Sequence, residues 1–395
     1  MDVIIGNSPQ PSPDGGGRKS AEDLLAECIR LDASDLHLAP GMPPFFRVHG
    51  ELAPHATLPP LSGDETRRIA DVFLQFSGTS GLEERGAQDG ALTSPEGARF
   101  RFNVFRRLGG IAVAVRRLED RFRTLEELGL SESLYGLCDF PDGIILIAGP
   151  TGAGKSTTLA TLIDWINRNH QSHIVTIEDP IEYIHTPVRS LVNQRQVGSD
   201  ASSFNDALLA SLREDPDVIL VGEVRDLDTI RTAIRAAETG HLVFTTVHAG
   251  DCVSTLERLV SVFSADEQPG IRQQLSLVLR AIVAQHLLPG DGPQAKTSRG
   301  AGVIEGRFVA SEVLQCTTAV AHLVATGKSA QIYSVMEGGS RSGMQTLEQD
   351  LARLVVEGKI SEATALANTR NPGIVRDRVA LLGRQGNGRR SGGDR

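Results

Sequence analysis

The sequence predicts an α/β protein of two domains, the second built on a parallel sheet, and three observations carry that expectation. The chain is 395 residues long, beyond what one hydrophobic core usually serves. Between residues 143 and 255 the runs GIILIAG, HIVTIED, DVILVGE and HLVFTTVH alternate with helical stretches. Continuous apolar runs separated by helices mark strands covered on both faces. The first of them opens directly into glycine-rich GPTGAGKS and then into the helical TTLATLIDWI, the order of a strand, a tight loop and a helix.

In chain order, residues 1–20 are expected to be disordered, because 7–20 are rich in Pro, Gly and Ser. They hold no long apolar core behind basic residues and so do not read as a secretory signal. Residues 21–120 are expected to form a first α/β domain. There SAEDLLAECIRL sets Leu24, Leu25, Cys28 and Ile29 on one helical face. LHL, the turn GMPP and FFRVHGEL read as strand, loop and strand; RFRFNVF and GIAVAVRRL read as a further pair joined at Leu108-Gly109-Gly110. Residues 121–382 are assigned to the second domain, in which 256–380 are expected to be mostly helical, as in LEQDLARLVVEGKI. The boundary belongs near residues 118–140. Residues 383–395 return to a Gly-rich composition with four arginines. They are expected to be a disordered basic tail, either simply solvated or touching an acidic lipid or protein.

Composition narrows the partners. A formal net charge of −9 and only 4% aromatic residues weigh against a nucleic-acid translocase, which needs a basic track and stacking rings. Cys28, Cys138, Cys252 and Cys316 lie far apart with no CxxC pair. That spacing argues against a zinc knuckle or disulfide framework and suits a reducing, cytoplasmic compartment. No run of about 18 apolar residues occurs, so no helix is expected to span a membrane.

The strongest motif is Gly149 to Ser156, which satisfies GxxxxGK[ST] in full. Gly149, Gly152 and Gly154 let backbone N–H groups close around phosphate oxygens without a Cβ in the way. The helix that follows turns its positive end to the same anion. With Pro150, Thr151, Ala153 and Thr157 they complete a nucleotide loop, in which Lys155 can reach the β- and γ-phosphates and Ser156 can ligate Mg²⁺. ATP and Mg²⁺ are the expected cofactors.

DPDVILVGEVRD, Asp215 to Asp226, reads as a buried strand that delivers Glu223 to the edge where the phosphates would sit. Glu223 can hold the metal or polarise water there; a plain salt bridge to Arg225 is the alternative. HIVTIEDPIEYIH ends a strand in Glu178-Asp179 before Pro180 turns the chain. A carboxylate at such a tip suits general-base work on water. Glu178 is the first choice, with Asp179 and Glu182 in support and solvated loop acids as the alternative. The sequence leaves open which of Glu178 and Glu223 is the base.

In TGHLVFTTVHA, His241 and His248 flank an apolar strand. His248, at the carboxyl end, can contact the γ-phosphate and report its loss; either ring can instead be satisfied by a backbone carbonyl. The spacing is not HExxH, so no metal site is expected there. In the first domain Arg99, Arg101, Arg116 and Arg117 fall on strands predicted to pair, with Arg99 and Arg101 on one face. They either face solvent or reach a γ-phosphate from across the domains.

Six motifs, SDLHL with GMPPFFRVHGEL, RFRFN, GPTGAGKST, TIEDPIEYIH, LREDPDVILVGEVRD and AAETGHLVFTTVHA, stand in the order found in the hexameric secretion and pilus motor ATPases. The chain resembles that family over about residues 21–370, and most closely its type IV pilus retraction branch. The resemblance implies a PAS-like α/β first domain and a RecA-like P-loop ATPase core with a mostly helical carboxyl-terminal part. By position it matches Arg101 and Arg116 to arginines that reach ATP from the amino-terminal domain. It matches Glu178, Asp179 and Glu182 to an acidic box, Glu223 to the Walker B acid, and His241 and His248 to a histidine box.

The resemblance further implies a homohexamer at the cytoplasmic face of the inner membrane. Its ATP hydrolysis would drive a membrane platform protein, and through it pilin subunits, in twitching motility. Extension and type II secretion motors usually carry a four-cysteine zinc module, which is missing here. AVAHLVATGK stands where retraction ATPases carry a motif similar to AIRNLIREGK. Pilus-assembly and type II or type IVB secretion ATPases are the alternatives.

Overall fold

The structure is a computed structural model that describes residues 19–48, 51–77, 80–118, 121–293 and 306–390. It divides into two compact units. One holds the described residues up to Arg121 together with Pro180–Ile184; the other holds Phe122–Asp179 and the described residues from His185 onward.

The first unit opens with helix α1 (Ala21–Arg30). The Ser20 hydroxyl accepts from the Asp23 N–H while the Asp23 carboxylate accepts from the Ser20 N–H, a reciprocal cap that fixes the helix start. Order therefore begins by Ser20, inside the stretch expected to be disordered; residues 1–18 lie outside the described residues. Then follow β1 (Ala33–Leu38), β2 (Phe45–Val48), β3 (Glu51–Pro54), α2 (Gly63–Leu74), α3 (Ser80–Glu84), β4 (Ala87–Thr93), β5 (Arg99–Arg107) and β6 (Gly110–Arg117).

These strands form an antiparallel sheet in the order β3-β2-β1-β6-β5-β4. On β5 the residues alternate, so Phe100, Phe102 and Val104 face inward onto Leu24, Leu25, Cys28 and Phe73. Leu108 and Gly109 close the β5–β6 hairpin with φ of 47° and 79°, the two-residue turn whose twist matches its strands.

The second unit runs β7 (Gly143–Ala148), α4 (Lys155–Asn169), β8 (His173–Glu178), β9 (Leu191–Gln196), α5 (Phe204–Ser211), β10 (Val218–Val221), α6 (Leu227–Glu238) and β11 (Leu242–Val247). It continues with α7 (Cys252–Ser261), α8 (Gln268–Val278), β12 (Leu279–Pro289), β13 (Arg307–Gln315), α9 (Thr318–Ala325), α10 (Ile332–Gly338), α11 (Leu347–Val356), α12 (Glu362–Ala367) and α13 (Pro372–Arg390). The sheet order is β13-β12-β7-β11-β10-β8-β9. All pairs are parallel except β12 with β13. Alternate residues of β7 feed two cores: Ile144 and Leu146 pack with Ile230, Leu256 and Leu275, while Ile145 and Ile147 pack with Leu159, Leu162 and Ile163 of α4. Every strand side chain of β7 and β11 is buried, which is why both read as unbroken apolar runs.

Three expectations are corrected. Residues 256–380 contain the long antiparallel ribbon β12–β13 among their helices; a buried strand and a buried helix segment look alike when an apolar run lacks alternation. Residues 383–390, expected to belong to a disordered tail, continue α13, while 391–395 lie outside the described residues. Pro180–Ile184, placed in the second domain by sequence order, counts with the first unit.

Candidate functional site

The loop from Gly149 leaves β7 and enters α4 through three glycines with positive φ: 151° at Gly149, 79° at Gly152 and 86° at Gly154. A Cβ on Gly149 would stand 2.5 Å from the Gln285 carbonyl oxygen, so backbone approach alone demands glycine there. Gly154 occupies the cap position of α4 in a left-handed conformation, and it brings no side-chain acceptor to the helix N–H groups. Those donors and the helix dipole are what an anion would satisfy. Lys155, largely buried, donates from Nζ to the carbonyls of Gly149 and Pro150, both at 3.0 Å. Its ammonium thus lies across the loop. A glycine-only bend, an uncapped helix start and an inward cation fit a polyphosphate. The exposed Ser156 hydroxyl with the Glu223 carboxylate is an all-oxygen donor set that suits Mg²⁺.

Strand polarity brings the other candidates to the same edge. β7, β11, β10 and β8 are neighbours and parallel, so their carboxyl ends place the glycine loop, His248, Glu223 and Glu178 side by side. The Thr246 hydroxyl donates to the Gly222 carbonyl at 2.6 Å and fixes the turn before Glu223. Glu223 Oε2 lies 2.6 Å from Arg225 Nε and 3.7 Å from His248 Nε2, so the simple ion pair to Arg225 is present. The Arg258 guanidinium donates to the His248 carbonyl at 2.8 Å. Burial, helped by the Lys155, Arg225 and Arg258 cations and opposed by Glu223, holds the His248 imidazole below its ordinary pKa. Its ring is therefore neutral near pH 7. Glu178 accepts from the Thr176 hydroxyl at 2.7 Å and the Gln194 amide at 3.3 Å. Asp179 is exposed, and Glu182 is half-buried in the Pro180–Ile184 segment.

His241 does not join them. Its carbonyl accepts from the N–H of Gly143, the first residue of β7, and its Nδ1 meets the Ala236 carbonyl at 2.9 Å. It stands at the amino edge of the sheet, about 20 Å from the loop along a six-residue strand. Within this unit the His241 ring closes the end of α6.

Arg101 and Arg116 belong to the first unit and face each other directly across β5 and β6. Arg116 Nε pairs with Asp35 Oδ1 at 2.9 Å, and Arg47 lies 3.4 Å from the other oxygen of the same carboxylate. The result is a lateral row Arg47, Asp35, Arg116, Arg101 across four strands.

Sequence reasoning missed Gln285 of β12. Wholly buried, it donates to the Ala153 carbonyl at 2.6 Å and accepts from the Thr158 hydroxyl at 3.0 Å. The signal was there: a lone amide inside LRAIVAQHLLP needs partners for both of its ends. No helix among the described residues is long and apolar enough to cross a membrane.

A family model described as type II/IV secretion system protein matches residues 17–372. The chain is 41% identical over 350 residues to the type IV pilus retractation ATPase PilT of Pseudomonas aeruginosa, covering 89% of this chain and 98% of that one. It is 40% identical over 328 residues to a twitching motility protein of Neisseria gonorrhoeae, covering 83% and 84%. A solved structure of the pilus retraction motor PilT with bound ADP superposes with a TM-score of 0.82 at 40% identity, covering 91% of this chain and 99% of that one. Fold, glycine loop and relatives agree, and the chain belongs to the type II/IV secretion system protein family.

Proposed function

We propose that this chain is a mechanochemical ATPase whose hydrolysis cycle powers type IV pilus retraction and twitching motility. One observation carries the reading: four adjacent parallel strands deliver a glycine loop with its lysine, a neutral histidine and two carboxylates to a single edge. The activities named for its relatives fit that arrangement.

Gly149–Thr157 wraps the phosphates of ATP with backbone N–H groups and the start of α4. Lys155 exchanges its two carbonyl acceptors for phosphate oxygens, replacing neutral partners by charged ones. Ser156 and Glu223 would hold Mg²⁺, which would offset the charge on the phosphates. Glu178, oriented by its Thr176 and Gln194 bonds, serves as the base that positions water. Asp179 and Glu182 support it. His248, neutral and next to Glu223, reports the γ-phosphate without adding charge. Arg101 and Arg116 act on the charge that develops on the phosphates, Arg116 trading Asp35 for it. A homohexamer passes the motion to a membrane platform protein at the cytoplasmic face of the inner membrane.

Steady-state ATP hydrolysis by the wild type and by Lys155→Ala tests the chemistry. Wild-type turnover well above that of the variant is expected; equal rates end the reading. Deleting the gene tests the cellular role. Loss of surface motility is expected, and loss of secretion with intact motility reassigns the motor to a secretion machine.

A further inference from the structure

The geometry points to Gln285 as a positioning residue that holds the phosphate loop in its anion-binding conformation from the neighbouring strand. The inference rests on the nucleotide reading of Gly149–Thr157.

Gln285 meets the loop at three places. Its backbone carbonyl crowds Gly149, its amide nitrogen donates to the Ala153 carbonyl, and its amide oxygen accepts from the Thr158 hydroxyl. It therefore ties the bend to the first turn of α4, and it is wholly buried while doing so. The Ala153–Gly154 peptide is the unit that matters. Across a trans peptide the N–H points opposite to the C=O. Pinning the Ala153 carbonyl onto β12 therefore aims the Gly154 N–H away from β12. Rotation of that peptide turns ψ of Ala153 and φ of Gly154, and Gly154 sits at a positive φ with no Cβ to restrict it, so on that side the loop itself offers little resistance. The amide from β12 supplies the resistance. Both its ends are used at once, so a carboxylate cannot replace it: that would set an acceptor against the Ala153 carbonyl.

The test uses the full chain in four variants, Gln285→Glu, Gln285→Leu, Thr158→Val and Val283→Ala, with magnesium ADP titration, steady-state ATPase and thermal melting for each. Val283 is a buried neighbour on β12 whose truncation loosens the strand without touching the loop bonds. Both Gln285 variants are expected to weaken ADP binding by about tenfold or more, and Thr158→Val by about threefold, with kcat at saturating ATP changing less. Val283→Ala is expected to melt earlier with ADP affinity unchanged. ADP affinity within about twofold of wild type in folded Gln285→Glu and Gln285→Leu overturns the inference, as does an equal loss of affinity in Val283→Ala. Should the Gln285 variants not fold, Thr158→Val decides, and unchanged affinity in it counts against the inference. Lys155→Ala separates the two levels. If it too binds ADP like wild type, the nucleotide reading itself falls; if it binds weakly while Gln285 variants bind normally, only the role of Gln285 falls.

Discussion

The two edges of the seven-stranded sheet carry the same residue types and do different things with them. At the amino edge the polar groups close on one another. The His241 ring meets the Ala236 carbonyl, and the His173 N–H donates to the Asp217 carboxylate at 2.8 Å. At the carboxyl edge begin the helices that follow β7, β9, β10 and β11. α5, α6 and α7 are sealed by the side chains of Ser203, Asp226 and Asp251, which accept from Asp206, Thr229 and Ser254 N–H groups. α4 begins at Gly154 with no side chain to seal it. Histidines and acids thus do not mark a site by themselves. A helix start with no side-chain cap, entered through a loop with three positive-φ glycines, does so.

The largest expected effect strikes the carboxyl edge directly. Lys155→Ala, and separately Glu223→Gln, should lower kcat on the order of a hundred- to a thousandfold, measured by phosphate release. Retained turnover in both would dissolve the contrast between the edges. Next come the arginines of the first unit. Arg116→Ala should lower hydrolysis about a hundredfold while ADP still binds, because the guanidinium acts on developing charge rather than on docking. If Asp35→Ala, which frees Arg116 from its carboxylate, speeds turnover while Arg116→Ala slows it, the exchange of Asp35 for phosphate gains support. Unchanged turnover in Arg116→Ala means that the edge works alone.

Much of this was legible in the residues. The glycine loop is contiguous, and its function and its fold impose the same local pattern, so reading one reads the other. Buried parallel strands announced themselves as apolar runs. Gln285 was hidden because its partner Thr158 lies 127 residues away in sequence, and nothing local says which strand will lie beside the loop. β12 was hidden because it follows α8 directly at Val278–Leu279, so no turn residue marks where the helical period gives way to a strand. His241 is a different case. In a parallel sheet every amino end lies on one edge, so a histidine that precedes its strand stands on the edge opposite the glycine loop.

Acid should sharpen the comparison next. His185 follows β8; its N–H donates to Gln194 at 2.8 Å, and Gln194 in turn holds Glu178. Burial lowers the His185 pKa from the ordinary 6.5 to about 4. The folded chain therefore refuses a proton that the unfolded chain accepts. Stability from this group is complete above pH about 6.5 and falls as pH drops toward about 4, by at most about 3 kcal/mol. Urea melts between those limits should show the loss, and His185→Phe should flatten it. An equal slope in the variant assigns the loss to other groups.

The smallest effect is expected at the amino edge, and it is the most discriminating. Removing the His241 ring deletes a contact to the Ala236 carbonyl at the end of α6, where hydrogen bond and helix dipole together are worth about 1 kcal/mol. His241→Ala should therefore melt a few degrees earlier, with kcat and KM for ATP within about twofold of wild type. His248→Ala, at the other end of the same strand, should show the reverse: little change in melting and about a tenfold fall in kcat, consistent with loss of a polar group near the reacting phosphate. The two histidines flank the same strand, one at each end. A His241→Ala protein that melts normally but turns over slowly would mean that a nucleotide reaches the amino edge as well. Glycine loop and edge polarity would then no longer suffice to say where the chemistry is.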